Sequence, residues 1–72
     1  MSLHYKTKEG IEVIDVVKAY KLNFNRGNII KYICRASNKG TEILDLEKAL
    51  DYLQHEINHL RKKQEEIIEN YK

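Results

Sequence analysis

Seventy-two residues with a net charge of +2, no Pro, no Trp and a single Cys make one small domain, and exclude a disulfide scaffold or a cysteine zinc ribbon. No apolar run approaches the roughly 18 residues of a membrane span, and MSLHYKTKEG has no apolar core like that of a signal peptide. The chain is therefore expected in a cytosol, and only marginally stable without partners, because so short a chain buries a small share of its surface.

The charge is unevenly placed. No acid stands between Asp15 and Glu42, an interval that holds Lys18, Lys21, Arg26, Lys31, Arg35 and Lys39. From Glu42 onward acids dominate. A basic half followed by an acidic half suits an anionic partner on the first, or head-to-tail packing of subunits.

In chain order, residues 1–9 are expected as an N-terminal arm, residues 10–60 as a helical domain and residues 61–72 as a coiled-coil-like extension. Val13, Val16, Val17 and Tyr20, with Ile14 beside them, predict a first helix from about Ile11 to Leu22. Asn23 to Gly27 then predicts a tight connection, with Phe24 plugging the core. A second helix follows to about Ser37, ended by Asn38-Lys39-Gly40, with Gly40 as a left-handed cap. On it Asn28, Lys31, Tyr32 and Arg35 share one face, and Ile29, Ile30, Ile33 and Cys34 the other. Cys34 is expected as a buried thiol.

Thr41 suits the N-cap of a third helix. Its residues Ile43, Leu46, Leu50, Leu53, Ile57, Leu60, Gln64, Ile67 and Tyr71 recur at alternating spacings of three and four, a heptad seam with one polar member. About 29 residues at 1.5 Å reach roughly 43 Å, and helices of about ten residues reach roughly 15 Å. The far half of the seam thus needs a partner, and a second copy of the chain is the economical one.

Four constellations could carry chemistry. The Asn28, Lys31, Tyr32, Arg35 face sets two cations one turn apart, and an anion above them would relieve their repulsion. Arg26 and Gly27 stand at the N-terminus of that helix, where free amides and the dipole suit a phosphate. A solvated basic face weighs equally against this on pattern alone. Asp45, Ala49, Tyr52 and Glu56, with Lys48 adjacent, line a flank beside the seam. There Asp45 could orient Arg35 or Lys39, hold a metal or act as a base, and an interhelical salt bridge outweighs those roles on pattern alone. His55-Glu56-Ile57-Asn58-His59 matches H-E-x-x-H, but a zinc centre needs a third ligand and a walled cleft. His55, Glu56 and His59 are therefore not assigned a metal. Glu12/Asp15 and Glu42/Asp45 are isolated acidic pairs of the kind that hold Mg²⁺ in denser clusters.

His4-Tyr5, then IEVIDVVKAYKLNFNRGNIIKYICRASNKG and DLEKALDYL, resemble the SaV-like small phage proteins, a domain of unknown function related to a coliphage nucleotide kinase that lacks a Walker loop. The resemblance covers roughly residues 4–57. It implies a phage or prophage origin and a nucleotide-type ligand, with His4, Tyr5, Asn25, Gly27, Asn28, Lys31, Tyr32, Arg35, Lys39, Asp45, Lys48 and Tyr52 at matching positions. This chain is shorter than that kinase, and its C-terminal heptads lie outside the pattern.

The expectation is an all-α homo-oligomer, with two short helices packed on one long C-terminal helix. Its function is expected to be nucleotide or phosphate binding in a host cytosol. Arg26, Gly27, Asn28, Lys31, Arg35, Lys39 and Lys48 would serve the phosphates, and Tyr5, Tyr32 and Tyr52 the base. Asp45 and His4 would titrate if a kinase-like reaction occurs, with Mg²⁺ as cofactor if a nucleotide is bound. The rivals are a non-catalytic protein that sequesters a nucleotide signal or blunts a host protein, and a nucleic-acid binder acting through the basic half.

Overall fold

A computed structural model describes residues 10–38 and 40–70. It is all-helical over those residues: α1 (Val13–Ala19), α2 (Phe24–Arg35) and α3 (Glu42–Asn70). His4, Tyr5, Lys39 and Tyr71 lie outside the described residues.

The first helix is shorter than its apolar arc predicts, for a backbone reason. Lys21 takes a left-handed conformation (φ 52°). Its amide donates to the Lys18 carbonyl, and the Leu22 amide to the Val17 carbonyl at 2.9 Å. That is a Schellman cap with a side chain where glycine is usual. Exchanging Lys21→Gly removes the Cβ strain, and should stabilise the protein by about 0.5–1 kcal/mol in urea denaturation. At the other end of α1, Asp15 Oδ2 accepts from the Glu12 amide at 3.2 Å. This acidic pair therefore works as a helix start.

The expected loop at residues 23–27 is instead the opening turn of α2. Asn23 is its N-cap, accepting from the Arg26 amide at 2.9 Å, while the Gly27 amide donates to the Asn23 carbonyl. The amides at Arg26 and Gly27 are thus taken. Phe24 does not plug a core but is 66% exposed. Gly27 is buried, and a Cβ there would stand 3.4 Å from Val17 Cγ2. The close neighbour that glycine admits is α1. Gly40 has the expected left-handed φ of 87°, so the chain reverses there. Thr41 precedes α3 and its carbonyl accepts from the Asp45 amide, but its buried hydroxyl makes no hydrogen bond among the described residues.

The largest departure concerns which face of α3 is covered. The short helices were expected to shield the near half of the seam. They do not: Ile43, Leu46, Leu50 and Leu53 are all exposed, as are Leu60 and Ile67 farther along. The buried residues of α3 are Asp45, Ala49 and Glu56, the polar flank. Those of α2 are Gly27, Asn28 and Lys31. Ile33 faces outward and Cys34 is only half-buried. The hairpin therefore closes polar face on polar face and leaves its leucines outside. Glu56 and Asp45 each engage an arginine of α2, and Ala49 between them is small enough for close approach. The seam offers only large side chains.

Candidate functional site

Two ion pairs set the α2–α3 register. Arg26 Nε meets Glu56 Oε2 at 2.7 Å, and Arg35 Nε lies 3.7 Å from Asp45 Oδ1. Low numbers on α2 meet high numbers on α3, so the hairpin is antiparallel. Glu56 also accepts from Asn23 Nδ2 at 2.7 Å and Asn25 Nδ2 at 3.3 Å. Its carboxyl is held below the ordinary 4.5, chiefly by the Asn23 amide. Desolvation opposes this, and Asn25 and Arg26 add to the lowering.

Between the two pairs lies an aromatic and cationic cluster. Tyr32 stacks on Tyr52 with centroids 5.9 Å apart, and Phe24 meets Tyr52 edge-on at 6.1 Å. Lys31 Nζ stands 4.9 Å from the centre of the Tyr32 ring, and Lys48 Nζ 5.4 Å from it. Both distances suit a cation–π contact. Neither ammonium is ion-paired among the described residues, although Lys31 is only 8% exposed. Two positive charges therefore share one ring with no carboxylate among the described residues paired to either, and half-exposed Arg35 follows one turn along α2.

Two acceptors in the same interface are left unsatisfied. Asp45 is 1% exposed and its Oδ2 has no hydrogen-bond partner among the described residues. Asn28 is fully buried; its Nδ2 donates to the Phe24 carbonyl at 2.9 Å, while its Oδ1 has no partner among the described residues. A buried acceptor without a donor costs about 1–3 kcal/mol. Such groups call for an explanation in strain, function or a missing partner.

The hairpin brings together Asn28, Lys31, Tyr32, Arg35, Asp45, Lys48 and Tyr52, the residues that helical spacing singles out. Arg26 belongs to the Glu56 anchor at the far end. His55 and His59 are exposed on the outer side of α3, and Glu56 turns away from them toward α2. Helical spacing alone does not reveal Glu56 as the acceptor that docks the start of α2. Its signal was available in Asn23-Phe24-Asn25-Arg26, three donors around one helix start. Two open hollows lie off the cluster. One, of about 350 Å³, runs along His59, Lys62, Lys63 and Glu66. The other, of about 460 Å³, is formed by Gly40, Glu42, Ile43, Leu44 and Glu47.

A family model described as a protein of unknown function, DUF3310, matches residues 1–54. No curated protein and no solved structure matches the chain. No helix among the described residues is long and apolar enough to cross a membrane.

Proposed function

The chain belongs to the DUF3310 family, and for it we propose the binding of a phosphate-bearing small molecule, a nucleotide by resemblance to the SaV-like phage proteins, in a homo-oligomer joined through α3. One observation carries the reading: Lys31 and Lys48 stand over the same Tyr32 ring with no described carboxylate paired to either. A phosphate is the dianion that would balance them, and Arg35 adds a planar donor at the rim. The unpartnered Asp45 Oδ2 would accept from a hydroxyl or amine of the same ligand. A single hairpin offers little concave volume here, so the site is completed by a neighbouring subunit. Kinase-like transfer, with Asp45 as base and Mg²⁺ on the phosphates, is the catalytic form of this reading. Sequestration without turnover is its non-catalytic form.

Thermal shift with mononucleotides, inorganic phosphate and pyrophosphate tests it. Ligand at 100 times its dissociation constant stabilises by about 2.7 kcal/mol, a rise of several degrees. The double variant Lys31→Ala/Lys48→Ala should abolish the rise while keeping helical circular dichroism. If no phosphate compound at millimolar concentration raises the melting temperature, the reading fails.

A further inference from the structure

The exposed seam carries more information than self-association alone: it also specifies an orientation. On the heptad, Ile43, Leu50, Ile57 and Gln64 take the a positions and Leu46, Leu53, Leu60 and Ile67 the d positions. The flanking e positions are Glu47, Gln54, Arg61 and Ile68, and the g positions begin Glu42, Ala49, Glu56. Charges at e and g set partner orientation in coiled coils. A parallel pair brings g of one helix to the following e of the other. That opposes Glu42 to the partner's Glu47, a like-charge contact. The one attractive parallel pair would be Glu56 with the partner's Arg61. Glu56 is not available for it: it is 5% exposed and already engaged by Asn23, Asn25 and Arg26.

We infer that two copies of the chain associate through α3 as an antiparallel pair whose long helices overlap over nearly their whole length. This rests on the oligomer reading above and is independent of the ligand. In the full-overlap register Leu50 faces the partner's Leu60 and Leu53 faces the partner's Ile57, each repeated by the two-fold. Ile43 faces the partner's Ile67. Leu46 meets the partner's Gln64 near each end, where the amide can reach water. The e positions then meet each other, and so do the g positions, where Glu56, already engaged by Asn23, Asn25 and Arg26, faces its own copy across the axis. Glu47 pairs with the partner's Arg61 on both sides of the axis, and Gln54 meets the partner's Gln54 at its centre.

The hollow at the start of α3 supplies an independent fit. It is lined by Gly40, Ile43 and Leu44 between two carboxylates. In this register the partner's Ile68, an e residue, arrives level with Gly40 on the flank that carries Glu47, and both of these residues line the hollow. Ile68 is about half exposed in the single chain, and the pairing covers it. A parallel pair would leave Ile68 at the far end and the hollow empty.

Spin labels test the geometry. Glu69 occupies an outward f position, so a label on Glu69→Cys in a Cys34→Ser background does not enter the interface. Position 69 lies opposite position 41 of the partner subunit, and the two labels should be about 42 Å apart along the axis. A parallel pair brings them to roughly 20 Å, the width of two helices. A slip of one heptad changes the distance by about 10 Å. A measured separation near 20 Å, or at a slipped value, overturns the proposal. So does a monomer in sedimentation, which would sink the oligomer reading as well. Charge exchange gives a second readout. Glu47→Lys should raise the dimer dissociation constant roughly tenfold, and Glu47→Lys/Arg61→Glu should restore it. Tighter association of Glu47→Lys would match the parallel arrangement and reject this one.

Discussion

Leu50→Ala should cost about 2–5 kcal/mol per chain and separate the protein into monomers at micromolar concentration. The size of this effect is diagnostic, because Leu50 is 64% exposed in the single chain. A surface position of that kind changes stability by roughly 0.5 kcal/mol at most. Only a side chain buried against another subunit has transfer and cavity energy to lose. Urea unfolding at two protein concentrations separates the cases. In the wild type the midpoint should rise with concentration, since folding and assembly are linked. In Leu50→Ala it should be lower and independent of concentration. A small, concentration-independent change in both would show that the seam faces water.

Glu56→Gln should be the most damaging single change on the polar flank. Glu56 accepts from Asn23 Nδ2, Asn25 Nδ2 and Arg26 Nε, so the start of α2 is fastened to α3 by this one carboxylate. Glutamine keeps the shape but loses the charge and one acceptor, and turns an NH₂ toward donors. The melting temperature should fall markedly, and amide exchange should speed up at residues 24–27 before the middle of α3. The pH dependence has a defined sign. The folded-state value of Glu56 lies below its ordinary 4.5, so the unfolded chain takes the proton first. The stabilisation is complete above the unfolded value and is lost as pH falls through the lowered folded one. Wild type should therefore lose stability on acidification below about pH 4.5, with Glu56→Gln losing correspondingly less. Equal acid sensitivity in the two proteins would remove Glu56 from this role.

The heptad seam runs for many turns, so its helix was readable without knowing what it packs on. The helix bounds around Phe24 and Lys21 were not. Asn23-Phe24-Asn25 reads as a turn unless Asn23 is recognised as a cap. Ending α1 depends on a lysine in a left-handed conformation that composition disfavours. The four-residue polar face of α2 was legible from spacing, but its direction was not. The spacing is the same whether that face meets water, a phosphate or another helix.

The order of the side chains alone determined three helices, the long amphipathic one, the reversal at Gly40 and the grouping of Lys31, Tyr32 and Arg35 on one stripe, because these follow from local periodicity and backbone preference. Only the tertiary structure decided that this stripe closes on Asp45, Ala49 and Glu56 while the leucines stay outside. That choice depends on long-range pairings, Arg26 with Glu56 and Arg35 with Asp45, and on the close approach that a small Ala49 permits. A helical repeat specifies which residues share a face, and what that face meets is set by groups distant in the chain.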